Sequence, residues 1–446
     1  MTWRSACANA ATCPRSVIPV PYWPNAAEVA RWRAPKKPSS RPFSPQFSSP
    51  GMEERKMDKI RSYLSRFFTQ QTPLPPGVHH YQSPPDVPVP FRLHLRIEEG
   101  GEGILIVNAS TVLHLNQTAT EYAYHLLHQT PPGEVATAIA KRYRVSVSDA
   151  LQDFQNFSQR VVTLVETPDL DPSTYLDFER TAPHSQKLMA PLRLDCALTY
   201  ETSDRQSVVS APVDRVHRNL TTEEWVAVLD KAWDAGIPHV IFTGGEPTLR
   251  PDLVELITHA EQLGMVAGVL SDGLRFSETG YLHSVLQAGL DHLMLVLDPA
   301  EEQSWEALRD TLAEDLFVTV HLTVTERNAS EIPAILERLA GLKVASLSLS
   351  EASGALKPVL ESARELAAHH HIELVWDIPV PYSQLNPVTL ELNAVGEHIA
   401  GAGRSWLYVE PDGDVLPRQG SNAILGNLLN DPWEQIWQRA REVAPV

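Results

Sequence analysis

Residues 241–247 read Ile241-Phe242-Thr243-Gly244-Gly245-Glu246-Pro247. An apolar run that stops on two glycines, an acid and a proline predicts a buried strand ending in a tight turn that opens into a helix. The same alternation continues on both sides. Strands are predicted at 192–200, 239–244, 267–271, 292–298, 317–325 and 346–350. Helices are predicted near 222–235, 250–263, 278–288, 301–314, 330–340 and 355–370, with Thr221-x-x-Glu224 as a capping box for the first. Six successive β/α units imply an α/β fold: a parallel sheet with right-handed crossovers, closed or partly closed as a barrel. Function in such a fold belongs at the C-terminal ends of the strands, where Glu246 sits.

Composition sets the bounds. With 446 residues the chain exceeds one ordinary domain, and two or three are expected. Hydrophobic residues at 43% and charged residues at 21% suit a globular protein. Lysine and arginine total 37 against 55 aspartates and glutamates, a net charge of −18. That balance argues against a nucleic-acid partner held through phosphates and leaves room for a basic peptide. No apolar run of about eighteen residues occurs, so no transmembrane helix is expected. The three cysteines, Cys7, Cys13 and Cys196, are too few for a disulfide framework and point to a reducing, cytoplasmic setting. Cys196 lies within the apolar pattern Arg193–Leu198 and reads as a buried small hydrophobe.

Residues 1–51 hold nine prolines and seven basic residues against one acid, Glu28. Residues 1–56 therefore read as disordered, with a targeting peptide or a start assigned upstream of Met52 or Met57 as alternatives. From Met57, Ile60, Tyr63, Leu64, Phe67 and Phe68 fall at helical spacing, and residues 73–90 read as a proline-rich linker with a solvated His79-His80. Residues 91–166 are expected to form one α+β unit. Its strands are Phe91–Ile97, Ile104–Val107 and Thr111–Leu115; its helices lie near 117–129, 133–143 and 147–165, the last capped by Ser146 or Ser148. A linker at 167–191, the β/α array at 192–376 and an extension at 377–446 complete the order. In the extension, Trp406–Pro417 reads as two strands about a turn on Asp412-Gly413, closed by a helix from Pro432 to Arg441.

Together these segments resemble the peptide-modifying branch of the radical S-adenosylmethionine (SAM) proteins over about residues 91–440. Ile241–Pro247 in its strand–turn–helix setting carries the likeness most specifically. Gly103–Asn116 resembles a PqqD-type, winged-helix-like peptide-recognition domain, and Pro411–Pro417 with Leu425–Leu429 resembles the ends of a SPASM extension. The fold so implied is a partial (β/α)6 barrel between a small α+β recognition domain and a hairpin–helix tail. The resemblance further implies that Gly244, Gly245 and Glu246 line the amino group of SAM. Ser271, Asp298 and Asn328 match other polar positions of the cofactor pocket. A turn retained only for folding is the competing account of the two glycines.

Leu198–Val209 departs from the family pattern. Where the family has the three cysteines that hold a [4Fe–4S] cluster, this chain has Thr202, Gln206 and Val209. The cysteine expected after Pro417 is Arg418, and a polar position after the fourth strand is Val296. A hydroxyl and an amide are poor, neutral ligands for iron, and valine is none. The family's chemistry passes an electron from the cluster to the sulfonium of SAM, so the expectation is that cluster and radical catalysis are both absent. Other constellations do not restore an enzyme. His369-His370-His371 do not share a helix face and read as a helix end. Asp412 and Asp414 read as turn residues rather than calcium ligands, and P-loop, G-x-S-x-G and H-E-x-x-H patterns do not occur.

The expected function is a non-catalytic peptide-binding or accessory protein in the maturation of a ribosomally made peptide or a pyrroloquinoline-quinone-like cofactor. A leader peptide would add as a strand to the PqqD-like domain. SAM remains an open ligand, and a cluster-bearing paralogue an open partner. The alternatives are an active SAM-dependent peptide-modifying enzyme with a borrowed or non-standard cluster, and a purely structural partner of an intact paralogue.

Overall fold

The computed structural model describes residues 73–84, 87, 91–108, 111–167, 188–203, 216–375 and 401–443. The helix expected from Met57 and the positions Gln206 and Val209 lie outside the described residues.

The chain divides into two units, residues 1–74 with 116–170 and residues 75–115 with 171–446. In the second unit β1 (Gly77–Gln82), β2 (Arg92–Ile97), β3 (Gly103–Val107) and β4 (Thr111–Leu115) form an antiparallel sheet in that order. β1 corrects the reading of 73–90 as linker alone. Flanking prolines obscured a strand that pairs Gly77 with Ile97 through Gln82 with Arg92. The single unit expected at 91–166 also divides. Ile104 and Ile106 of β3 pack into the core of the β/α array, so these strands belong to its unit. Those helices are α1 (Gln117–Leu127), α2 (Pro132–Tyr143) and α3 (Val147–Glu166), gathered on Tyr122, Val135, Ile139 and Phe154. Ser146 caps α3 by accepting from the Asp149 amide at 3.0 Å.

The array begins with β5 (Arg193–Thr199), α4 (Thr222–Asp234), β6 (His239–Gly244), α5 (Leu253–Leu263), β7 (Val266–Ser271) and α6 (Tyr281–Gln287). It continues through β8 (His292–Val296), α7 (Glu302–Leu312), β9 (Phe317–Val324), α8 (Ile332–Gly341), β10 (Ser346–Glu351), α9 (Lys357–His369) and β11 (Glu373–Leu374). Its strands pair in parallel from β5 to β11. Among the described residues the array does not close. On the β5 side the tail lengthens it: β12 (Trp406–Val409) runs parallel to β5, then β13 (Asp414–Leu416) and β14 (Gly426–Asn427) follow antiparallel, before α10 (Trp433–Val443). The Thr221–Glu224 capping box is present at the start of α4. Among the described residues no helix is long and apolar enough to cross a membrane.

Period-two patterning explains the two faces of the sheet. Val318, Val320, Leu322 and Val324 of β9 join the helices in the core. The residues between them turn to the other face, where Thr319 meets Ser346 at 3.0 Å and His321 Nδ1 meets Ser348 at 2.9 Å across β9 and β10. Burial pushes His321 down to about 4, so its imidazole is neutral. Cys196 is fully buried beside Leu194 and Leu198 in the helix-facing core, and burial followed by the charge of Asp195 pushes its thiol well up.

Two arginines fasten the four-stranded sheet to the N-terminal ends of the array. Arg92 donates to Met265 O at 3.2 Å and to the Asp291 carboxylate at 2.9 Å, and pairs with Glu261. Arg96, wholly buried, donates to Pro191 O at 3.2 Å and Gly236 O at 3.4 Å and pairs with Glu98 at 3.0 Å. Pro191, Gly236, Met265 and Asp291 precede β5, β6, β7 and β8 in turn. One side chain each from β2 thus bridges two strand starts.

Candidate functional site

The turn after β6 is tied to its neighbours on both sides. The Gly245 amide donates to Thr199 O at 2.8 Å and the Glu246 amide to Glu201 O at 2.7 Å. A Cβ on Gly244 would lie 2.1 Å from Thr199 O, and one on Gly245 would lie 2.1 Å from Glu201 O. Gly244 also has φ +123°. The backbone leaving β5 therefore demands both glycines, whatever else they touch. Glu246 is 2% exposed. Its Oε1 accepts from the Thr248 amide at 2.9 Å, Thr248 Oγ1 at 2.6 Å and Ser271 Oγ at 2.9 Å; its Oε2 accepts from the Asp272 amide at 2.8 Å. The carboxyl thus joins the ends of β6 and β7. Burial first, and then the charge of Asp272, push it up to about 8, against the pull of the donors on Thr248 and Asp272.

Beyond β5, β7, β8 and β9 opens a cavity of about 520 Å³. Thr202, Asp298 and Asn328 share its wall, together with Val296. Gly244, Gly245, Glu246, Ser271 and Arg418 are not among the residues lining it. Asn328 is committed to its own loop: its Oδ1 accepts from the Thr325 amide at 2.8 Å and its Nδ2 donates to Thr323 O at 2.9 Å. The Asp298 carboxylate accepts from the Ala300 amide at 3.0 Å.

Sequence reasoning missed the charge of this cavity. Asp272, Asp298, Glu301 and Glu331 line it against one base, Arg327. Ser203 Oγ donates to Asp272 Oδ2 at 2.5 Å, which closes the wall between the β5 and β7 ends. Asp272 and Asp298 directly follow strand ends, whereas Glu301 and Glu331 stand at the starts of α7 and α8, so sequence position points to the first two alone. Such a lining suits a cationic small molecule. In the tail, Glu410, Asp412 and Asp414 also approach one another. Asn427 Nδ2 donates to Asp414 Oδ1 at 2.9 Å and Asp412 O at 3.0 Å, and so braces the expected hairpin turn.

A [4Fe–4S] cluster asks for convergent thiolates. The described side chains after β5, Tyr200, Glu201, Thr202 and Ser203, include no thiol, and the cysteine among the described residues, Cys196, is sealed in the core. These residues do not fit a cluster.

Comparison with known proteins adds ancestry. The radical SAM superfamily is matched over residues 196–318. A PqqA peptide cyclase of Streptomyces rochei is 28% identical over 289 residues, 56% of this chain and 77% of that protein. One of Bradyrhizobium diazoefficiens is 27% identical over 272 residues, 53% of this chain and 68% of that protein. Streptococcus suis SuiB bound to S-adenosylmethionine has a similar fold, with a TM-score of 0.52 at 14% identity over 79% of this chain and 89% of SuiB. SuiB bound to the precursor peptide SuiA gives 0.50 at 15% identity over 77% of this chain and 86% of SuiB. Residues 196–318 therefore carry a radical SAM superfamily domain, in a chain homologous to PqqA peptide cyclases.

Proposed function

We propose that this chain recognises a peptide and works without a cluster of its own, as a non-catalytic accessory in ribosomal-peptide maturation. One observation carries the proposal: Thr202, Gln206 and Val209 stand at the three ligand positions, and Arg418 follows Pro417. Neutral or apolar side chains there leave no donor set soft enough to hold iron and sulfide. A peptide partner is supported by relatives named for acting on PqqA peptide and by a fold neighbour seen with its precursor peptide. The outer strands of the small sheet, β1 and β4, offer backbone edges for an added strand.

The acidic cavity supports SAM as a retained ligand. Asp272, Asp298 and Thr202 would face its sulfonium and ammonium charges, while Gly244–Glu246 and Ser271 would act by shaping the loops around it. In a cluster-bearing protein SAM supplies a radical on reduction; here it would be held unreacted. The deciding experiment is anaerobic reconstitution with iron and sulfide followed by desalting. The expected preparation is colourless and forms no 5′-deoxyadenosine from SAM under dithionite. A stoichiometric, EPR-active cluster that cleaves SAM would return the chain to the enzymes. Calorimetry with SAM then separates a ligand-holding cavity from an empty relic.

A further inference from the structure

A second cavity, about 510 Å³, lies far along the chain from the first, between the β2–β3 turn and α10. Glu99, Glu102, Asp234 and Glu434 stand exposed around it, with a single base, Arg441. None of these five makes an ion pair among the described residues. Glu98, also in the lining, is already engaged by Arg96 at 3.0 Å. The excess of negative charge is therefore unanswered among the described residues.

Carboxylates alone would only describe a solvated surface, but the same groove has an aromatic wall. Trp433 and Trp437 stack on successive turns of α10, with ring centroids 5.9 Å apart and planes 12° from parallel. Trp437 is 5% exposed, and its indole Nε1–H has no acceptor among the described residues. The indoles of Trp225 and Trp406 are buried in the same condition, so the ring faces, and not this donor, mark the groove. The groove thus combines unpaired anions with indole faces.

These features select a ligand class. Phosphate-bearing partners are repelled by the rim. A bare metal ion makes no use of indole faces. A peptide with cationic side chains uses both, its ammonium or guanidinium groups lying against carboxylate and ring. We propose that this groove holds a lysine- or arginine-bearing segment of the peptide the chain recognises, at a place separate from the strand edges β1 and β4. The proposal rests on the peptide-recognition function above and adds the chemistry of what is recognised.

The test uses the full chain and three short fluorescein-labelled peptides, lysine-rich, glutamate-rich and uncharged, followed by anisotropy. The lysine-rich peptide binds, its affinity falling between about 0.05 M and about 0.5 M salt, and the glutamate-rich one does not. E99K/E102K, two exposed changes, weakens binding about tenfold, and Trp433→Ala weakens it about fivefold. Unchanged thermal melting of E99K/E102K shows that the fold is kept. Binding of the lysine-rich peptide that ignores E99K/E102K would overturn the groove and leave peptide recognition standing. So would equal binding of the uncharged peptide. A dimer that dissociates in the Trp433→Ala chain would instead assign the groove to a second copy and overturn the peptide assignment. Failure of the chain to bind any of the three, or any precursor peptide, would remove both proposals.

Discussion

The two ends of the β/α array handle buried charge in opposite ways. At the N-terminal end, carboxylates meet guanidinium groups: Arg92 takes Asp291 and Glu261, Arg96 takes Glu98, and Arg193 takes Asp195 at 2.7 Å. At the C-terminal end, among the described residues, Glu246 has no cation and is held by hydroxyl and amide donors, while Asp272, Asp298, Glu301 and Glu331 open on a cavity with one described arginine. Paired charge at one end and unpaired charge at the other is what a scaffold with a ligand site requires, because surplus charge is useful only where something arrives to meet it.

Acid should break the fastened end first, and by the largest amount. Burial, then the charge of Arg96, pushes His94 down to about 3, and burial, then Arg193, pushes His292 to about 4. Both ordinary values are 6.5. Below that pH the unfolded chain binds protons that the native state refuses, so the stability present above pH 6.5 is lost as pH falls through 4. His94 alone accounts for roughly 4 kcal/mol of that loss. Urea midpoints measured stepwise from neutral to acid should fall; a flat profile would mean that neither imidazole is held neutral. Arg92→Ala is next in size. It strands two part-buried carboxylates at once, and a loss of about 3 kcal/mol in urea unfolding is expected. A loss no larger than that of an exposed ion pair would show that the small sheet is not fastened through this residue.

Much of this was legible in the sequence, and the exceptions have physical causes. The array was readable because its strands are apolar runs or strict alternations and its helices carry apolar residues at helical spacing, the first of them opened by the Thr221–Glu224 capping box. β1 was not, because its stability lies in pairing with β2, and Gly77–Gln82 between prolines shows little strand pattern of its own. The partition of residues 91–166 was hidden for the same reason: Ile104 and Ile106 announce burial without announcing against what. At the site, the motif at 244–246 was visible but its bonds were not. Sequence spacing cannot show that Thr199 O and Glu201 O stand where two Cβ atoms would go. The acidity of the cavity was spread over the three loops that follow β7, β8 and β9, and only the fold sums it.

Gly245→Ala separates the two accounts of that motif. If the glycine serves the backbone of β5, the variant loses about 2 kcal/mol with no ligand present, since Glu201 O is main chain and has little room to yield. If it served only close approach of a ligand, melting would be unchanged and SAM binding alone would weaken. The first outcome is expected, and it would put the turn on the structural side of the comparison while leaving the cavity on the other.

Glu246→Gln has the smallest effect and the most informative sign. The amide keeps the shape but places a donor where one carboxylate oxygen accepts, so about 1 kcal/mol should be lost near neutral pH. Four donors favour an ionised Glu246, whereas burial and Asp272 favour a protonated one, and the latter push it from 4.5 up to about 8. A native state that keeps the proton is favoured below pH 4.5, and that advantage drains away as pH rises through 8. The variant has no proton to keep. Its deficit relative to the parent should therefore narrow as pH rises from 5 to 8, opposite in direction to the acid loss driven by His94 and His292. A deficit that widened with pH would mean that the carboxylate is ionised in the native protein and that its four donors outweigh its burial. The site end would then be as fully compensated as the fastened end, by dipoles in place of arginines.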